Sequence, residues 1–300
     1  MDALERDLYH RFGSRLERNQ PLAPYTSFQI GGPADLMLTV ESEDELCDAL
    51  AAAHRYLTPV FCLGSGTNLL VSDRGVRGLV IRLGRAFALI EIEGTRVYAG
   101  GAAKCRALVE ASVEAGLAGL EFGEGIPGTV GGGLLMNAGA FGGEMSAAVA
   151  AVHGVTREGL SKTLTKDRLQ FHYRKAVLPE ALFITAVEFL LAPGDKERLR
   201  ARIAEVRAKR AARQPAGIPN AGSIFKNPPG MFAARLLEAC GLKDQRIGKA
   251  AFSERHANFI VNLGGAKADD VRALIEAAQT KVHQQTGVHL EPEIKLIGEW

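Results

Sequence analysis

Gly123-Glu124-Gly125-Ile126-Pro127-Gly128-Thr129-Val130-Gly131-Gly132-Gly133-Leu134-Leu135-Met136-Asn137-Ala138-Gly139-Ala140-Phe141-Gly142-Gly143 holds nine glycines in 21 residues, against 34 in the whole chain of 300. The enrichment is local, not a habit of composition. Glycine has no Cβ, so it reaches positive φ cheaply and lets another group lie directly on the backbone. The stretch has one carboxylate, Glu124, and no Lys or Arg. A phosphate resting here is expected to be held by backbone N–H groups in a concave nest and not by ion pairs. The segment should therefore bed something large and flat, or something phosphorylated.

A second such loop lies upstream. Pro59–Leu63 reads as a short buried strand, and Gly64-Ser65-Gly66-Thr67-Asn68-Leu69 follows at once. Loops after strands are where α/β folds bind nucleotides. The G-x-G-x-x-G fingerprint is not met, because Leu69 stands at its third glycine and no long amphipathic helix follows. Leu69–Val71 looks like more strand, with a turn at Asp73-Arg74-Gly75 and a strand over Gly78–Leu83. A Rossmann site is not expected.

Elsewhere the pattern is mixed. Ser42-Glu43-Asp44-Glu45 is a capping box, and Leu46, Ala49, Leu50, Ala53 and Leu57 mark one face of the helix it starts. Strands are predicted over Ala88–Ile92 and Arg96–Ala99, around a turn at Glu93-Gly94, and later over Val149–Thr156 and Phe183–Leu191. Helices are predicted over Ala103–Ala115, stopped by Gly116, over Asp195 to about Ala212, over Met231–Cys240, stopped by Gly241, and over Asp269–Gln285, stopped by Gly287. Composition changes at Pro193-Gly194. The expected fold class is α+β, divided into a nucleotide-bedding region over 1–193, a smaller α+β unit over 194–287, and a closing strand over 288–300.

That closing strand alternates clearly. Leu290, Pro292, Ile294 and Leu296 interleave with His289, Glu291, Glu293 and Lys295. One face is apolar and the other sets two carboxylates near a lysine. On pattern alone a half-buried strand with its polar side in water is the preferred reading, and a functional one needs that polar face to look into a cleft.

Composition narrows the function classes. Hydrophobic content of 47% and charged content of 23% are ordinary for a globular protein, and a formal charge of +2 gives no basic cluster for nucleic acid. The basic run Lys196 to Arg213 is interleaved with Leu199, Ile203 and Val206 and reads as a solvated helix face. Cys47, Cys62, Cys105 and Cys240 show no paired spacing, which points to core thiols in a reducing compartment. The start has no apolar signal core and no window reaches membrane-spanning length, so a cytoplasmic protein is expected. The seven histidines show no metal-ligand spacing, and His256 is expected to brace structure.

Two segments carry candidate chemistry. In Asn220-Ala-Gly-Ser223-Ile-Phe-Lys226-Asn227-Pro-Pro-Gly230, Ser223 sits in a predicted loop before a short helix. It does not fit G-x-S-x-G, and a turn-forming serine is the plain alternative. In Phe171-His-Tyr173-Arg174-Lys175, Arg174 is able to clamp a carboxylate or phosphate in bidentate fashion, or to lie on the surface.

Taken in order, the motifs resemble the flavin-dependent UDP-N-acetylenolpyruvoylglucosamine reductases of peptidoglycan synthesis. The resemblance runs from Tyr25-Thr-Ser-Phe-Gln-Ile-Gly-Gly-Pro-Ala-Asp35 to Leu290-Glu-Pro-Glu-Ile294. Between them stand Gly64–Leu70, Gly125–Gly132, Asn137–Ala140, Tyr173-Arg174, Gly222–Pro228 and Ser253–Ile260. The family implies an FAD-binding fold of the vanillyl-alcohol-oxidase (PCMH) type, with a C-terminal substrate domain whose last strand returns to the active-site cleft. It implies that Gly64, Ser65, Gly66, Thr67, Asn68, Leu69, Gly125, Ile126, Pro127, Gly128, Thr129, Gly131, Gly132, Asn137, Ala138 and Gly139 hold FAD. NADPH reduces the flavin, whose N5 passes a hydride to the β-carbon of the enolpyruvyl ether, giving UDP-N-acetylmuramate for the cell wall.

The resemblance also assigns roles. Ser223 matches the proton donor to the α-carbon, and Arg174 and Glu293 match the pair that activates the substrate carboxylate. Hydride addition β to a carboxylate builds negative charge there, and a guanidinium with a protonated acid stabilises it best in a dry site. Glu293 would then need a raised pKa. Alternation leaves Glu291 and Glu293 equal; the resemblance selects Glu293. Tyr173, Asn227 and Lys295 match substrate contacts, and Arg213 matches a basic residue that meets the UDP diphosphate. Arg174 and Ser223 lie 49 positions apart, which implies the shorter subclass without an extra tyrosine-bearing loop. FAD is expected to be non-covalent, the protein a monomer, and metal, membrane and nucleic acid absent from its chemistry. A flavin oxidase of the same superfamily, acting on a sugar or alcohol, is the alternative, and a non-catalytic nucleotide-binding protein a second one.

Overall fold

Ser42 begins the helix its capping box predicts: its Oγ accepts the Glu45 N–H at 3.2 Å, and the helix runs Glu43–Arg55. The reciprocal bond shifts by one residue, because the Glu45 carboxylate takes the Glu41 N–H at 2.8 Å. Leu46, Ala49, Leu50 and Ala53 are buried as expected, whereas Leu57 is 87% exposed. It lies beyond the helix end with φ +52, where no helical face continues.

The computed structural model describes residues 3–300; Met1 and Asp2, with which the expected first region opens, lie outside the described residues. The chain divides into two compact units. The first comprises 3–18, 36–65 and 78–210, the second 19–35, 66–77 and 211–300.

The first unit has two apolar cores. One sheet, most of whose residues belong to this unit, has the order Leu16–Pro21, Pro33–Val40, Val76–Leu83, Val60–Cys62, the last two strands running parallel. Its core includes Leu4 and Leu8 of helix Ala3–Phe12, together with Leu38, Leu46, Leu50 and Ile81. The second sheet is antiparallel, ordered Ser161–Thr165, Val149–Thr156, Leu182–Leu190, Arg96–Gly100, Ile90–Glu93. Its apolar side, with Val97, Val152, Val187 and Phe189, packs with helices Cys105–Glu114 and Val130–Leu135. Helix Lys196–Arg213 buries Leu199 and Val206 and spends its charges on ion pairs such as Arg200–Glu114 at 2.8 Å, as a solvated face should.

Two local differences stand out here. Ala88 belongs to a 3-10 turn over Arg85–Ala88, so the strand expected from it starts at Ile90. Inside the glycine-rich stretch, Val130–Leu135 forms a helical turn and a half, with Thr129 at its N-cap. Its three glycines disfavour helix by about 1 kcal/mol each, and packing overrides them: a Cβ on Gly133 would meet Met145 Cε at 2.7 Å.

The second unit packs helices Ala233–Ala239 and Ala268–Thr286 with a sheet ordered Asn220–Ser223, Phe259–Asn262, Ala250–Phe252, Arg246–Ile247. Val271, Leu274, Ile275, Ala278 and Val282 form the predicted helical face and are buried, and Gly287 ends the helix at φ +73. Asp73, in the turn after Leu69–Val71, accepts the Ala268 N–H at 3.0 Å and so holds this helix's first turn. The expected ten-residue closing strand is shorter: only Lys295–Ile297 is ladder, parallel to Leu69–Val71. Upstream, Pro292 makes an isolated antiparallel bridge with Phe225, and the alternation ends at Leu296, which is 39% exposed. No helix among the described residues is long and apolar enough to cross a membrane.

Candidate functional site

In the first unit three glycine-bearing segments meet. Gly64 follows strand Val60–Cys62, and a Cβ placed on it would come 2.8 Å from Thr129 Oγ1. Only glycine lets the first loop lie this close to the second. A third segment, 100–105, was missed from sequence. It is laced to the second loop by Gly131 N–H to Gly101 O at 3.0 Å, Val130 N–H to Ala103 O at 2.8 Å and Cys105 N–H to Gly128 O at 3.1 Å. Its signal was the Gly100-Gly101 pair directly after a strand.

The loops are not devoid of cations. Lys104 Nζ donates to Ser65 Oγ at 2.7 Å. Arg210, from helix Lys196–Arg213, lies against Gly125: at φ +71 that glycine leaves room where a Cβ would stand 2.9 Å from Arg210 Nε. Burial pushes the Arg210 guanidinium below its ordinary pKa, opposed by Glu124. Glu124 itself is 2% exposed, accepts from Arg207 Nε at 2.9 Å, and has its Oε2 buried without a partner. Cations from other segments therefore stand beside a loop that has none of its own. Arg210 extends the apolar stripe spacing of Leu199, Ile203 and Val206, a signal that a basic residue on that stripe turns inward.

Asn137 is fully buried in the left-handed region at φ +39. Its Oδ1 accepts the Ser146 N–H at 3.0 Å and its Nδ2 donates to the His172 carbonyl at 3.1 Å. It thus joins two hairpins. One has Phe141-Gly142 as its turn, both at positive φ. The other pairs Gln170–His172 with Lys175–Val177, and its two turn residues are Tyr173 and Arg174. Arg174 is held at φ +58, with its guanidinium 4.8 Å from the Tyr173 ring centroid.

The second unit gathers the remaining candidates. Ser223 closes strand Asn220–Ser223 opposite Phe259, a correction to the loop expected there. The next residues lie along the C-terminal segment: Glu293 N–H donates to Ile224 O at 2.7 Å and Lys226 N–H to Glu291 O at 2.9 Å. Lys226 also forms an ion pair with the Glu291 carboxylate. Asn68, from the end of the first loop, donates through Nδ2 to the Glu293 carbonyl at 3.2 Å, and its own carbonyl accepts the Lys295 N–H at 2.9 Å. Asn68, Ser223, Glu293 and Lys295 therefore sit on mutually bonded segments of one unit. Asn227 Oδ1 accepts the Ala233 N–H at 3.0 Å and holds the start of the following helix. Arg213, exposed, ends its helix, whose final carbonyls at Ala211 and Ala212 accept from Arg255. His256 has a bracing role: Nδ1 accepts the Asn258 N–H at 3.3 Å, and its ring meets Phe259 edge-on at 4.9 Å.

Residues 34–165 match an FAD binding domain, and residues 214–297 match the C-terminal domain of UDP-N-acetylenolpyruvoylglucosamine reductase. The chain is 46% identical over 285 residues to UDP-N-acetylenolpyruvoylglucosamine reductase 2 of Symbiobacterium thermophilum, covering 95% of this chain and 92% of that one. The corresponding reductase of Agathobacter rectalis is 41% identical, with 95% of each chain covered. The crystal structure of the reductase from Thermus caldophilus superimposes with a TM-score of 0.83 at 40% identity, over 94% of this chain and 99% of that one. A glucose dehydrogenase, Phl p 4.0202, shares the fold alone, with a TM-score of 0.50 at 14% identity. The chain belongs to the UDP-N-acetylenolpyruvoylglucosamine reductase family.

Proposed function

We propose that the protein reduces the enolpyruvyl ether of UDP-N-acetylglucosamine enolpyruvate to UDP-N-acetylmuramate with electrons from NADPH, in peptidoglycan precursor synthesis. Bound FAD supplies the hydride chemistry. The residues fit that group. Glycine at 64 lets the two loops close on each other through Thr129, glycine at 125 lets Arg210 lie against the loop backbone, and Lys104 and Arg210 bring positive charge to the same loops. Residues 64–69, 125–129, 131–132 and 137–139 would hold the flavin non-covalently; burial pushes the Cys62 thiol up to about 11, far from the thiolate a covalent link needs.

The chain's own residues then supply orientation, charge and a proton. Arg174 clamps the substrate carboxylate in bidentate fashion, and Glu293, protonated, donates to it, so that charge developing on the carboxylate meets two fixed donors. Ser223 Oγ–H delivers the proton to the α-carbon. Tyr173, Asn227 and Lys295 contact substrate, and Arg213 meets the diphosphate. The observation that carries this reading is the bonding of Ile224 and Lys226 to Glu293 and Glu291, with Asn68 tied to the same segment. Regions 1–193, 194–287 and 288–300 serve flavin, substrate and closure of the site in a monomeric, cytoplasmic enzyme of the shorter subclass.

The test separates half-reactions. Ser223→Ala should leave flavin reduction by NADPH intact and slow the transfer to the sugar nucleotide by about 10²–10⁴. Equal loss in both half-reactions would refute the proton-donor role. Oxygen consumption with an alcohol substrate and no sugar nucleotide would overturn the activity itself.

A further inference from the structure

We infer that Lys104 is the cation that neutralises the flavin pyrophosphate, an inference that rests on the flavin reading above. Lys104 spans both glycine loops at once. Its ammonium donates to Ser65 Oγ of the first loop at 2.7 Å. Its backbone forms an antiparallel bridge with Thr129 of the second, and Thr129 Oγ1 is the atom against which Gly64 packs. Side chain and main chain are thus both fixed, although the lysine is exposed.

The charge is fixed but not compensated. Among the described residues no carboxylate lies within ion-pair distance of Lys104; its partner is a neutral hydroxyl. When Ser65 Oγ accepts from the ammonium, its own O–H proton is left as a donor. Ammonium and hydroxyl then form a two-donor edge on the first glycine loop. That chemistry suits a diphosphate, whose oxygens accept several bonds and carry two negative charges. The 2′-phosphate of NADPH and the diphosphate of the sugar nucleotide share this chemistry. Attachment to both loops, and not to the substrate-matching Tyr173-Arg174 turn of the same unit, selects the flavin.

The experiment uses full-length apoprotein titrated with FAD and, separately, with riboflavin, which has no phosphate. Lys104→Met should weaken FAD about 10- to 100-fold, the size of a charge-assisted hydrogen bond, and leave riboflavin affinity unchanged. Raising ionic strength should weaken FAD in the wild type more than in Lys104→Met, and Lys104→Arg should recover most of the affinity. Unchanged thermal stability of the Lys104→Met apoprotein checks the fold. FAD affinity equal to wild type would overturn the assignment, as would equal losses of FAD and riboflavin. So would a raised KM for NADPH or for the sugar nucleotide at unchanged FAD affinity, which would give the ammonium to that phosphate instead. Failure of the wild type to take up FAD is a separate result, and it would overturn the flavin reading.

Discussion

Asn137→Ala tests how the Arg174 turn is held. The substitution removes the acceptor of the Ser146 N–H and the donor to the His172 carbonyl, both supplied by a side chain that is fully buried. An amide left without an acceptor in the interior costs about 1–3 kcal/mol. The carbonyl of exposed His172 can turn to water and adds little. Alanine at φ +39 adds about 1 kcal/mol relative to asparagine, which tolerates that region. The sum is about 2–4 kcal/mol. At about 2–4 °C per kcal/mol for a large domain, melting should fall by about 4–16 °C, read by thermal denaturation of the apoprotein. Asn137→Asp separates the two bonds, because it keeps an acceptor for Ser146 and loses the donor to His172. It should cost at least as much stability, because a buried carboxylate oxygen then faces the His172 carbonyl oxygen, and it should loosen the Tyr173-Arg174 turn and raise KM for the sugar nucleotide. An alanine variant within about 0.5 kcal/mol of wild type, or an aspartate variant with an unchanged KM, would refute the reasoning.

Gly125→Ala should lower FAD affinity of the apoprotein by tenfold or more, measured by quenching of flavin fluorescence, because its Cβ would meet Arg210 Nε at 2.9 Å at a φ of +71; wild-type affinity would show that Arg210 yields freely. Burial pushes the His256 imidazole below its ordinary 6.5. The folded state then prefers the neutral ring, so this stabilisation is complete above 6.5 and is lost as pH falls from there through the lowered folded value. His256→Gln should flatten the decline of melting temperature between about pH 7 and pH 5, and an unchanged slope would assign the decline to other groups.

Much of the fold was legible because local signals agreed with packing. Val149–Thr156 is a strand over the residues its β-branched run predicts, and the helix ending at Gly287 buries the face its periodicity marks. Legibility failed where a neighbour overrode local preference. Nothing in Thr129-Val-Gly-Gly-Gly-Leu-Leu announces a helix, because the glycines there answer to Gly101 and Met145. The closing segment keeps its alternation through Lys295 but changes partners, from 224–226 to 69–71, so most of it is extended chain outside any ladder.

At the site, residue types were legible and juxtapositions were not. The glycine loops mark themselves by composition, but Lys104 reaches Ser65 across 39 positions and Asn68 reaches Glu293 across 225. No window of sequence contains both ends of either bond. Backbone strain was equally hidden. Asn137, Phe141 and Arg174 all have positive φ in the first unit, where glycine would be cheaper at each. Left-handed arginine costs about 1 kcal/mol or more, at a central turn position where the hairpin geometry calls for a positive φ that glycine or asparagine usually supplies. The fold tolerates that strain in a turn fastened by the buried Asn137 carboxamide. A guanidinium carried on a fastened backbone turn suits a carboxylate clamp, since a rigid mount loses little entropy on binding. The turn geometry thus gives the proposed role of Arg174 a physical reason that sequence spacing alone could not provide.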